Sequence, residues 1–366
     1  MLKIVDGGII SHQHGRGAYM AVITPLPDGT FIAAQHVGES LGSADNHIEV
    51  LSSADLSTWS NQGSIHAGGG PPQDGFTYRG PQIGVVADGR LVMTATRFEM
   101  GGVLFNPDSE GLQRPEIVLH WSQDNGATWS APQVVPVDLP PERYTWNSAG
   151  TMRQLTPQRW MYPLETWKPD SYQGPPDQKA AAVFSADQGA TWGEFTVFAD
   201  DPTGKKLWWD QRNSVMPDGR IYTLIWTHRY GTSEDLNNHW MISEDQARTW
   251  TEPEPTNLRG QCCTPIPLSD GRVAAIYNFR HDPQGIHVAL TEDLANYDIE
   301  NEVVAFDAAA EATLGKPDHE NFLAEHMLIA FGRPGGVLLS DGDLLTYFWC
   351  TIDGVTHTRW ARLSVS

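Results

Sequence analysis

Four short stretches of this chain say nearly the same thing. They are Ser122-Gln-Asp-Asn-Gly-Ala-Thr-Trp129, Ser185-Ala-Asp-Gln-Gly-Ala-Thr-Trp192, Ser243-Glu-Asp-Gln-Ala-Arg-Thr-Trp250 and the shorter Ser53-Ala-Asp-Leu-Ser-Thr-Trp59. Thr291-Glu-Asp-Leu-Ala-Asn-Tyr297 is a worn fifth copy. A self-similar segment at this period is the signature of a solenoid or a propeller. Each copy reads as a β-hairpin turn. Asp folds onto nearby backbone N–H groups, Gly takes the left-handed position, and Trp or Tyr packs the turn against its own sheet.

A second repeat runs in step with the first. Short apolar-polar runs flank Asp28-Gly29, Asp88-Gly89, Asp218-Gly219, Asp270-Gly271 and Asp341-Gly342. Asp-Gly between β-rich runs is a strong hairpin signal. A sixth, degenerate turn is Thr156-Pro-Gln-Arg159. The turns lie roughly 50 to 70 residues apart, a fitting length for a four-stranded blade with its loops. The expectation is an all-β, six-bladed β-propeller spanning 1–366 as a single domain. The last blade lacks a strand, and Leu2 to Val5 is spare to supply it, closing the ring.

Composition narrows the function. A formal charge of −21 argues against a nucleic-acid footprint. Three Cys cannot make a disulfide framework. No apolar leader opens the chain and no run is long enough to span a bilayer, so a soluble protein is expected, in a compartment the sequence leaves open. Neither a specific phosphate loop nor a cofactor motif is present. His12-Gln-His14 places two imidazoles on one side of a strand, but spacing fixes no third ligand, so no metal site is assigned. Oligomeric state cannot be read.

The ends of the inner hairpins opposite the Asp-Gly turns should converge on the axis. Before the first strands stand His14, Arg16, Arg79, Trp146, Trp209, Asp210, Arg212 and Arg333. After the second strands stand His36, Glu39, Arg97, His228, Arg229, Tyr230 and Arg280. Recurrent Arg in an acidic chain suits a carboxylate or sulfate, whose geometry the guanidinium fork matches. Interleaved Trp and Tyr suit sugar rings.

The turn repeat resembles the Asp-box of the sialidase superfamily, and the likeness extends over almost the whole chain. The resemblance implies a glycosidase with a three-Arg clamp on a carboxylate, for which Arg16, Arg229 and Arg280 are the near matches. It also implies a carboxylate a little before the fourth turn Gly, a stretch in which Asp210 stands nine residues before Gly219. The family's nucleophilic Tyr has no counterpart, because the same count from Gly342 gives Arg333.

Three functions follow. The first is an exo-acting glycoside hydrolase on an acidic glycan, with Asp210 as base and His36 or Glu39 as acid; Glu99 and Glu165 stand in reserve. The second is a uronate lyase using a funnel His, such as His228, with Tyr230. The third is a glycan-binding propeller without catalysis.

Overall fold

The computed structural model describes residues 1–11, 15–66, 72–102, 104–106, 108–148, 150–232, 234–312 and 330–366. His12 and His14 lie outside them. Six antiparallel sheets surround an axis. From the inside outward, blade 1 is Gly17–Pro25, Phe31–Gly38, His47–Ser53 and Ser60–Ser64. Blade 2 is Phe76–Val85, Leu91–Glu99, Glu116–Ser122 and Gln133–Val135. Blade 4 is Lys206–Val215, Ile221–Arg229, His239–Ser243 and Glu254–Pro255, and blade 5 is Gln261–Pro267, Val273–Phe279, Gly285–Thr291 and Val303–Asp307. In blade 3 the innermost strand is broken into Thr145–Ser148 and Arg153–Thr156. Both pieces pair with Arg159–Trp167, and Ala180–Ser185 and Gly193–Ala199 follow.

Blade 6 carries Phe331–Leu338, Leu344–Ile352 and Val355–Val365, and the N-terminal strand Leu2–Ser11 completes it. Leu2 pairs with Val365 and Ser11 with Thr358, so the closing strand runs further than the expected Leu2 to Val5. Closure in this way removes an open sheet edge.

The five Asp-Gly turns put glycine at positive φ, from 86° at Gly29 to 95° at Gly271. Outside, the Asp-boxes repeat one hydrogen-bond scheme. Ser122 Oγ accepts from the N–H of Gly126 at 2.8 Å, and Asp124 accepts from the N–H of Thr128 at 2.9 Å and from its hydroxyl at 2.6 Å. Ser185 and Asp187 do the same for Gly189 and Thr191. The indoles of Trp129 and Trp192 donate to the carbonyls of Gly126 and Gly189. Trp59, Trp129, Trp192 and Trp250 pack into the inter-blade cores, so they are structural, as the repeat implies.

Candidate active site

Five of the six innermost strands share one irregularity. In blade 4, Trp209 pairs with Trp226 and Arg212 with Leu224, so three steps on one strand oppose two on its neighbour. The same β-bulge follows Tyr19, Arg79, Gln261 and Gly332. In each bulge one residue has positive φ: Met20, Gly80, Asp210, Cys262 and Arg333. Bulges re-aim side chains, and all five of these residues line one axial cavity of about 240 Å³.

Asp210 is held on three sides. Its backbone N–H donates to Glu165 Oε2. Its Oδ1 accepts from Arg212 at 2.9 Å, and its Oδ2 accepts from the Cys262 thiol at 2.9 Å. Glu165 is 2% exposed, and its Oε1 accepts from Asn147 at 3.0 Å and from the Trp167 indole at 2.8 Å. Burial, and then the charge of Asp210, push its carboxyl up to about 7. Burial and the same neighbouring carboxylate push the Cys262 thiol far above its ordinary value, so it stays a protonated donor.

Three further cations line the cavity. Arg79 is 8% exposed; one Nη donates to Gly42 O at 2.7 Å, while Nε and the other Nη have no partner among the described residues. Arg280 donates to Gln261 at 2.8 Å and to Phe331 O at 2.6 Å. Arg333 lies across Gly80, where a Cβ would stand 2.0 Å from its Nη1. Apolar walls come from Trp167, Trp209, Trp226, Trp349, Phe98 and Phe105. Trp167 stacks on Trp209 at 6.1 Å, and Trp209 stacks on His228 at 4.8 Å.

Thus Asp210, Arg79, Arg280, Arg333 and Trp209 come together as expected, with Arg212 directly behind Asp210. Other candidates stand elsewhere. His36 is fully buried beneath Gly80, whose N–H it accepts at 3.3 Å. Burial, Arg79 and Arg333 hold it well below the usual imidazole range, which disfavours the imidazolium form. Glu39 is exposed and off the cavity wall. His228 has both ring nitrogens engaged, by Asp235 at 3.0 Å and the Thr232 carbonyl at 2.8 Å. Tyr230 sits beside Glu110 and Lys168 in a separate depression.

Two arginines of the expected clamp are held in ion pairs instead, Arg16 with Asp45 at 2.9 Å and Arg229 with Glu234 at 2.7 Å, and Arg97, expected at the funnel, pairs with Glu116. Trp146 is buried between blades 2 and 3, not on the axis. Glu165 replaces His36 and Glu39 beside Asp210. Cys262 and Met20 are additions that their residue types alone do not suggest. Among the described residues, no cluster of His, Cys, Asp and Glu could hold a metal ion, and no helix is long and apolar enough to cross a membrane.

Fold and cavity together define a sialidase-like six-bladed β-propeller with a carboxylate-and-arginine site on its axis. The chain belongs to the BNR repeat-like domain family, which residues 102–308 match. No curated protein matches the sequence. Among solved structures, a protein of unknown function from Dyadobacter fermentans is similar at 19% identity and a TM-score of 0.75, covering 100% of this chain and 99% of that one. The Penicillium chrysogenum α-L-arabinanase, solved with arabinobiose, is similar at 13% identity and a TM-score of 0.66, covering 98% of each chain. The leech intramolecular trans-sialidase, solved with 2,7-anhydro-Neu5Ac, is similar at 12% identity and a TM-score of 0.64, covering 98% of this chain and 70% of that one.

Proposed function

We propose that residues 1–366 act as one propeller domain, an exo-acting glycoside hydrolase on an anionic glycan of the sialic or uronic acid class. The observation that carries this reading is the carboxyl pair of buried Glu165 and half-buried Asp210. Glu165 keeps its proton to about pH 7, while Asp210 beside it faces Arg212. Two carboxyls in environments that separate their roles are what glycoside hydrolysis needs. Glu165 is the general acid to the leaving oxygen, and Asp210 attacks the anomeric carbon or activates water. Arg79, Arg280 and Arg333 receive the sugar's carboxylate, and the Trp walls cover its apolar faces. The small cavity suits one terminal sugar residue, hence exo action.

A lyase would need a His or Tyr at the sugar C5. Among the described residues none lines the cavity, which favours hydrolysis.

The test is a time course on sialosides and uronic-acid glycans, following reducing-sugar release and ultraviolet absorbance. Release without absorbance supports the hydrolase; absorbance from an unsaturated product would replace it with the lyase. Silence on every substrate, together with glycan binding, would replace it with a binding propeller. Proton NMR of the first-formed anomer then assigns Asp210 as nucleophile or base. Arg280→Ala should weaken an acidic sugar far more than a neutral one; equal losses would remove the anion from the reading.

A further inference from the structure

A second cavity, of about 700 Å³, opens on the axis toward the Asp-Gly turns. It shares only Arg333 with the wall of the first cavity. Its wall is lined by three arginines, Arg153, Arg212 and Arg333, and among the described residues by no carboxylate. Arg212 is 7% exposed. One Nη donates to Asp210 in the other cavity, and Nη1 is buried with no partner among the described residues. A Cβ on Gly150, which lines the second cavity, would stand 3.9 Å from that Nη1. Arg153 uses Nε on the Asn213 carbonyl at 2.9 Å. Tyr347 lines the same space.

Buried charge is costly unless paired, and arginine does not escape by losing its proton. Burial and the nearness of Arg212 lower the pKa of Arg153, and the same two causes act on Arg333. Asp210 offsets one of the three charges, and among the described residues no carboxylate lines this cavity to offset the others.

We infer that this second cavity is a binding site for a small oxyanion of the phosphate or sulfate class, held by Arg153 and Arg212 with the Tyr347 hydroxyl as a further donor. The guanidinium fork matches such an anion through paired N–H donors. Arg212 then joins the two cavities, with one Nη on Asp210 and the other on the anion. The site does not depend on the hydrolase reading, since Arg153, Arg212 and Tyr347 do not line the glycan cavity.

The experiment is thermal unfolding of the full chain at pH 7 in rising potassium phosphate, with ionic strength held constant by potassium chloride. The Tm should climb with the logarithm of phosphate concentration. Arg153→Gln should weaken the effect about tenfold or more, as loss of a charge-assisted hydrogen bond does. Arg280→Gln, which alters only the glycan cavity, should keep it. A flat Tm in the wild type overturns the site. So does a phosphate effect that survives R153Q and vanishes in R280Q, which would place the anion in the glycan cavity. Tyr347→Phe removes a single O–H, and isothermal titration of Y347F with phosphate keeps the inference open to refutation if R153Q does not fold. Unchanged affinity in Y347F would take Tyr347 out of the site.

Discussion

The propeller repeats two devices around its ring, one at the outer turns and one on the innermost strands. At the outer turns residue identity is kept. Ser, Asp, Thr and Trp recur because the turn is made of their side-chain hydrogen bonds. On the axis only the backbone is kept. Five bulges have the same three-for-two count, yet hold Met20, Gly80, Asp210, Cys262 and Arg333. Where the device is the structure, its chemistry cannot vary. Where the device only aims a side chain at a cavity, each blade is free to present a different one. An acid, a thiol, a cation and a glycine that lets that cation pass can therefore share one ring.

The sharpest break of this comparison sets one aspartate against another. Asp210→Asn should lower kcat/KM by about 10²- to 10⁴-fold, the usual worth of a positioned acid–base group, and should also lower Tm, because Arg212 loses its charge partner. Asp124→Asn in an Asp-box should leave kcat/KM unchanged. Comparable activity in both variants would mean that the bulge position holds no chemistry.

Glu165 gives the next largest effect, and its sign is fixed. Its carboxyl lies raised to about 7, so the proton needed by a general acid is present below that pH and lost above it. The kcat/KM should fall about tenfold per pH unit above 7, and that limb should vanish in Glu165→Gln along with most of the rate. Stability follows the same sign. A group raised in the folded state supports the fold at low pH and loses that contribution as pH rises through its folded value. E165Q should therefore match the wild type in Tm at pH 5 and exceed it at pH 8. A Tm difference that does not widen with pH would remove the buried proton from Glu165.

Most of the fold is legible because both repeats are local. A turn written in eight residues declares itself wherever it occurs, and six hairpins at blade spacing define the ring. The closing strand needed only a count of missing partners. The site is legible in part. Asp210 and Arg333 are found nine residues before Gly219 and Gly342, and the same offset from Gly29, Gly89 and Gly271 gives Met20, Gly80 and Cys262. Reading by residue chemistry passes over these three, since methionine, glycine and cysteine announce no role. Arg16, Arg97 and Arg229 mislead for the opposite reason. They have the right chemistry at the right end of a strand, but carboxylates distant in sequence or across the turn claim them at the rim. His36 lies one alternation away from the axis, under the neighbouring bulge.

Gly80 tests whether the axial backbone can be uncoupled from the residue it carries. Its φ of 57° is left-handed, and an added Cβ meets the end of a flexible side chain, Arg333 Nη1. Gly80→Ala should cost about 1–2 kcal/mol from backbone conformation alone, because Arg333 can swing aside. That swing should raise KM for an acidic substrate more than for a neutral one. A stability loss without this selectivity would mean that Arg333 does not face the substrate.

The smallest effect on activity is expected at the outer device, and it closes the contrast from the other side. Ser122 is buried at 2% exposure, and its hydroxyl both accepts from Gly126 N–H and donates to Asp124. Ser122→Ala removes both bonds and leaves a buried N–H unsatisfied, so a loss of about 1–3 kcal/mol is expected. The loss should be similar for Ser185→Ala, whose bonds are the same. Neither should change kcat/KM, because the turn lies at the outer edge of the blade while Asp210 and Glu165 hang from the two innermost strands of their blades. Equivalent substitutions among the axial bulges should show the reverse, with unequal effects on activity at positions of equal backbone geometry. If S122A and S185A differed widely in stability, identity at the outer turns would reflect something other than the shared hydrogen-bond scheme.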